Sequence, residues 1–252
     1  MSIAHREHIA GLEKGLAVIE AFGAARPRLT LSEAAELAGL SRASARRCLL
    51  TLVGLGYAQA DGRYYSLAPR VLRLGHAYLA ASPLAKAVQP VVEAITERVH
   101  ESASVAILDG TEVVFIARAT GRLSLSAGLS VGSRLPAYAA ATGRVLLAAR
   151  SDAEAAAIVK DSRPRKITSR TLTGQGELME EIRRVREQGY AIGDGQLELG
   201  LCVVAVPVRD RAGRTLAAMS LAARTARIPR KRMLEDLLPP LEAARRSLEA
   251  SL

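Results

Sequence analysis

Aromatic residues are scarce in this 252-residue chain: six Tyr, two Phe and no Trp. A core of this size must therefore be built mainly from Ala, Val, Leu and Ile, and hydrophobic residues at 49% supply enough of them for a globular fold. Only two cysteines occur, Cys48 and Cys202, far apart in the chain, which excludes a disulfide framework or a clustered thiolate metal site. Of the four histidines, His5, His8, His76 and His100, none lies in an acid–base or metal motif. No cofactor or metal is expected. There is no GxSxG, P-loop or HExxH pattern and no run of about 18 apolar residues. The start, Met1-Ser2-Ile3-Ala4-His5-Arg6, is polar rather than a signal peptide. A reducing cytoplasm, with no membrane partner, is the expected setting.

What is abundant is positive charge, +10 overall, which favours a polyanionic partner. Residues 11–22 place Leu12, Leu16, Ile19 and Phe22 at helical intervals. Thr30 or Ser32 is placed to cap a second helix, and Ser41, after Gly39-Leu40, to cap a third that ends at Gly54-Leu55-Gly56. Two strand-like segments then flank Asp61-Gly62, a two-residue hairpin signal. Helix, helix, turn, helix and hairpin make a winged helix-turn-helix over residues 1–68. Residues 69–82 read as a linker helix. Residues 83–252 mix helices with antiparallel strand patterns, an α+β domain.

In the third helix Ala45, Cys48, Leu49 and Leu52 form the buried stripe. Ser41, Arg42 and Ser44 fall in its first turn, Arg46 and Arg47 project away from the stripe, and Arg63 sits at the hairpin tip. A recognition helix reads base edges with its N-terminal half, and arginine forks match guanine or phosphate oxygens. These six residues are the expected contacts to double-stranded DNA. Residues 1–82 carry 10 Lys and Arg against 6 Asp and Glu, +4, so affinity is expected to fall steeply with salt. In the second domain, the glycine- and proline-punctuated stretch 124–148 precedes a small-residue helix start near Ala140–Gly143, where free amides suit a carboxylate. Arg134 is expected to add a bidentate clamp. Residues 189–208 add Asp194, Gln196 and Glu198 before a buried strand. Two other readings are a non-specific nucleoid protein and, less favoured, a DNA-tethered enzyme using Cys202, whose apolar strand suits an inert thiol.

The segments GLAVIEAF, LSRASARRCLLTLVGLGYA, YSLAPRVLRLGHAYL, GLSVGSRLPAYAAATGRVLLA and GYAIGDGQLELGL resemble the isocitrate-lyase-regulator (IclR) family along essentially the whole chain. The likeness is to its subgroup for protocatechuate, 4-hydroxybenzoate and β-ketoadipate catabolism. That resemblance implies a transcription regulator, not an enzyme, with a GAF-like effector domain. It implies a homodimer or tetramer on a palindromic operator, with RNA polymerase as a further candidate partner, and a small, aromatic-pathway carboxylic acid as effector. The pocket it implies comprises Ala127, Leu135, Ala141, Thr142, Gly143, Asp194, Val203 and Ser220. Two departures bear on the effector rather than the fold. The subgroup usually has Leu-Arg-Ser at Leu201-Cys202-Val203, and Glu at Gln196.

Overall fold

The computed structural model describes residues 8–121 and 128–252. Its contacts divide the chain into two compact units, one up to Tyr78 and one from Leu79.

The first unit contains α1 (Ala10–Glu20), β1 (Arg28–Thr30), α2 (Leu31–Leu37), α3 (Arg42–Gly54), β2 (Ala58–Asp61) and β3 (Tyr64–Leu67). Thr30, not Ser32, caps α2 in a reciprocal capping box: its hydroxyl accepts from the Glu33 amide, and the Glu33 carboxylate accepts from the Thr30 amide at 2.7 Å. Gly39, at φ +64°, turns the chain between α2 and α3 in a conformation that costs glycine little. The hairpin β2–β3 turns at Gly62, and β1, which periodicity does not announce, joins it to give the order β1-β3-β2. Val18, Leu29, Ala34, Leu49 and Leu52 form the core. The stretch expected as a linker helix is a 3-10 turn, Pro69–Val71, followed by α4 (Leu72–Ala81), which buries no residue.

The second unit is built on one antiparallel sheet of order β6-β5-β4-β9-β8-β7. The strands are β4 (Ser102–Asp109), β5 (Glu112–Ala119), β6 (Arg134–Pro136), β7 (Ala191–Asp194), β8 (Leu201–Arg209) and β9 (Thr215–Arg224). The helices are α5 (Pro83–Val99), α6 (Ala141–Ala148), α7 (Asp152–Asp161), α8 (Gln175–Gln188), α9 (Arg230–Arg232) and α10 (Leu238–Glu249), with a π turn, Met233–Leu237, before the last. Side chains alternate across each strand. Cys202, Val204, Val206 and Val208 of β8, with Met219 and Leu221 of β9, share a core with Val88, Val92 and Leu241 of α5 and α10. Ala205 and Ala218 face the opposite core, with α6 and α8. Small residues there let α6 lie so close that every one of its residues is buried. Gly143 is part of that approach: a Cβ on it would stand 2.2 Å from the Ala137 carbonyl oxygen.

Candidate DNA interface and effector cavity

In the first unit, Ser41 caps α3 by accepting from the Ser44 amide at 3.3 Å, and its hydroxyl donates to Ser44 Oγ at 3.1 Å. Ala45 and Leu49 are fully buried, which turns Arg42, Arg46 and Arg47 outward, where all three are exposed. Among the described residues no carboxylate pairs with any of them. Arg63, on the wing, donates to the Tyr64 hydroxyl at 2.9 Å, and its guanidinium lies 5.0 Å from the Tyr64 ring centroid. Arg28, which sequence reasoning passed over, lies at the same distance from that ring and pairs with Asp61 at 2.6 Å. The expected DNA contacts thus form one exposed cationic helix face and one cation held at the wing.

In the second unit a cavity of about 230 Å³ opens on the α6 face of the sheet. Its floor follows from strand register. Arg118 of β5 stands opposite Ser104 of β4, Ser104 opposite Ser220 of β9, and Ser220 opposite Ala205 of β8. The Ser104 and Ser220 hydroxyls lie 3.0 Å apart, both buried. Phe115, Leu129, Leu135, Leu201, Val203 and Ala222 supply apolar wall, and Ala140, Ala141 and Thr142 bring in the first turn of α6. No side chain caps that helix, so its leading amides carry the positive end of the dipole. Burial lowers the Arg118 pKa by disfavouring its charged form. An anion in the cavity would offset that cost.

Five of the expected pocket residues, Leu135, Ala141, Thr142, Val203 and Ser220, therefore line one cavity. Ala127 lies outside the described residues. The others are placed elsewhere. Arg134 sits in β6 with Asp109 and Glu112, each 2.7 Å away, and its pKa is raised chiefly by the hydrogen bond to Glu112. Two carboxylates already engage it, so it is no clamp for a third. Asp194 pairs with Arg170 at 2.9 Å, a contact without hydrogen-bond alignment, and does not line the cavity. Gly143 serves backbone packing. Gln196 accepts from Arg144, while Glu198 does line the cavity and pairs with Arg224 at 2.6 Å. Sequence reasoning missed the polar lining residues Arg118 and Ser104, and the apolar wall of Phe115, Leu129, Leu197, Leu201 and Ala222. The one signal was a lone Arg inside the apolar strand EVVFIARA.

Cys202 faces the opposite side of the sheet from Val203 and is fully buried. Burial pushes its thiol up to about 11, so at neutral pH it is a poor nucleophile. Among the described residues no group of His, Cys, Asp and Glu is placed to hold a metal, and no helix is long and apolar enough to cross a membrane.

Comparison with known proteins agrees with both halves. Residues 11–62 match the IclR helix-turn-helix domain, and residues 76–250 match the bacterial transcriptional regulator IclR C-terminal domain. The chain is 43% identical to the Pca regulon regulatory protein of Pseudomonas putida, over 96% of this chain and 84% of that one. It is 36% identical to the p-hydroxybenzoate hydroxylase transcriptional activator of Acinetobacter baylyi, over 93% and 89%. A crystal structure of an IclR homologue from Microbacterium hydrocarbonoxydans complexed with 4-hydroxybenzoate superposes with a TM-score of 0.78 at 25% identity, covering 96% of this chain and 98% of that one. With an exposed recognition helix in one unit, a walled cavity in the other and family likeness running through both, this chain belongs to the IclR family of DNA-binding bacterial transcriptional regulators.

Proposed function

We propose that this regulator answers a small aromatic monocarboxylic acid bound in the β4–β5–β8–β9 cavity, and that Ser41, Arg42, Ser44, Arg46, Arg47 and Arg63 carry its contact with operator DNA. The observation that carries the effector reading is the division of the cavity wall. Arg118, Ser104, Ser220 and the start of α6 supply donors for a carboxylate, and Phe115, Leu135 and Val203 supply a ring-sized apolar surface. An apolar cavity of about 150 Å³ accommodates benzene, so the volume here suits a ring with a carboxylate. A dicarboxylate fits less well, because among the described residues Arg118 is the one cation of the lining and Glu198 is an acid in it. The relatives named for protocatechuate-type and p-hydroxybenzoate genes, and the 4-hydroxybenzoate complex of a homologue, support the same chemistry.

The assembly on DNA is a homodimer or tetramer on a palindromic operator in the cytoplasm, with RNA polymerase as a further partner. A ligand shifts such an equilibrium only by its differential affinity for two arrangements of the DNA-binding units, typically about 1–3 kcal/mol. Non-specific coating of DNA would need no such cavity. Calorimetric titration of the full chain with 4-hydroxybenzoate, benzoate and an aliphatic dicarboxylate tests the reading. Binding of the aromatic acids, with loss on Arg118→Gln, is the expected result. Binding of the dicarboxylate alone would overturn it.

A further inference from the structure

Arg144 is 1% exposed in the middle of α6. Burying a guanidinium costs several kcal/mol before its partners repay it, and an apolar side chain of similar size is often as stable there. The partners of Arg144 show what the charge accomplishes. Its Nε donates to the Tyr138 carbonyl at 3.1 Å, Nη1 to the Ile192 carbonyl at 3.4 Å, and Nη2 to Gln196 Oε1. Glu181 of α8 stands 3.7 Å away as counter-charge. One side chain therefore ties α6 to β7 and to the turn that follows it.

That turn, residues 195–201, carries Leu197, Glu198 and Leu201 of the cavity wall. The Gly195 amide donates to the Leu201 carbonyl at 2.8 Å and closes it. From outside, Thr168 and Thr171 hydroxyls donate to the Gly195 and Gln196 carbonyls, each at 2.6 Å. From inside, the Gln196 side chain reaches the fixed guanidinium on α6, the helix that supplies Ala141 and Thr142 to the same cavity.

We propose that Arg144 is a positioning residue of the effector cavity, holding the 195–201 turn through Gln196 so that Leu197, Glu198 and Leu201 stand as its wall. The inference rests on the effector reading of this cavity. Arg144 touches no effector; it preorganises the groups that do. The Gln196 amide is the adjustable end of the tie. A carboxylate at that position meets the guanidinium as a charge-assisted pair, and a methyl group does not meet it at all.

The test is a graded series in the full-length protein, Gln196→Ala, wild type and Gln196→Glu, with 4-hydroxybenzoate as probe. Hydrogen exchange of the ligand-free chain is read first, over residues 195–201 and, as internal control, over α6. Gln196→Ala speeds exchange at the turn but not in α6. It raises the Kd about tenfold, the reciprocal of the fraction of molecules still holding the turn, and leaves thermal unfolding within a few degrees of wild type. Gln196→Glu slows exchange at the turn and lowers the Kd. Arg144→Lys keeps the charge without the three-way fork; like Gln196→Ala it speeds exchange at the turn and raises the Kd, and it also loosens the bonds to the Tyr138 and Ile192 carbonyls. Equal exchange in all variants overturns the proposal, as does faster exchange with an unchanged Kd. Exchange rising alike throughout the unit also overturns it, since that would mark a general structural role. A wild-type chain that does not bind the acid refutes the effector reading instead, and the exchange data still decide whether Gln196 holds the turn.

Discussion

Ser104 and Arg118, fourteen residues apart in the chain, stand directly opposite each other on β4 and β5, and this pairing puts a cation beside the buried Ser104–Ser220 hydroxyl pair on the cavity floor. The register, rather than any local motif, creates the proposed anion-binding end of the site. Arg118→Gln is expected to weaken binding of 4-hydroxybenzoate by about 10- to 100-fold, the range for hydrogen bonds to charged groups. Arg134→Gln should leave the Kd within about twofold, because Asp109 and Glu112 already occupy that guanidinium. Titration calorimetry of the two variants side by side decides between them.

On the DNA side, Arg46→Ala with Arg47→Ala should reduce affinity for an operator selected from random duplexes by at least about 100-fold. The slope of log K against log salt should fall by about 4 for a bound dimer, two per protomer, if both contact phosphates. Thermal unfolding should stay unchanged, since both side chains are exposed. Electrophoretic mobility shifts across a salt series measure both quantities. Retained specific binding would remove α3 from the interface.

Gly143→Ala is expected to destabilise the second unit by about 3 kcal/mol or more, at the upper end for overpacking. The added methyl would meet the Ala137 backbone, which cannot swing aside as a flexible side chain could. Urea denaturation followed by circular dichroism should show a lower midpoint with an unchanged slope. Gly176→Ala, where a Cβ meets nothing within 4 Å, is the control and should stabilise or leave α8 unaffected.

The capping box of α2 gives a pH dependence. Hydrogen bonds from the Thr30 amide and hydroxyl hold the Glu33 carboxyl below its ordinary value of 4.5. A carboxyl lowered on folding contributes stability that is present above its unfolded pKa and is lost as the pH falls through its folded one. The stability difference between wild type and Glu33→Gln should therefore be constant near neutrality and vanish in acid, below pH 4.5. Chemical denaturation at several pH values follows this directly. A difference that persisted in strong acid would contradict it.

The two thiols should separate by reactivity. Cys48 is partly exposed, whereas Cys202 is fully buried with its pKa pushed up to about 11. A disulfide reagent at pH 8 should modify one thiol in the native protein and the second only on unfolding. Rapid native modification of Cys202→Ser, with none of Cys48→Ser, is the expected pattern.

Much of this molecule is legible in one dimension, because helices, caps and hairpins depend on residues within a few positions of one another. Leu12, Leu16 and Ile19 mark α1, Ser41 marks the start of α3, and Asp61-Gly62 marks the wing. The outward direction of Arg46 and Arg47 follows from the same periodicity. The effector cavity is different in kind. Its floor unites residues 104, 118 and 220 through strand pairings over long separations, and a bulge in β5 at Ile116, opposite Val105 and Ala106, resets which side chains of β5 face it. Local pattern pointed to Arg134, near the glycines, as the clamp; pairing gave Asp109 and Glu112 to that residue and left Arg118 in the wall. Local pattern also gave no sign of Arg144, a charge inside a helix buried on all sides. Short-range spacing is written along the chain, whereas the choice of which arginine meets a ligand depends on register and packing between distant strands, and only the folded sheet settles it.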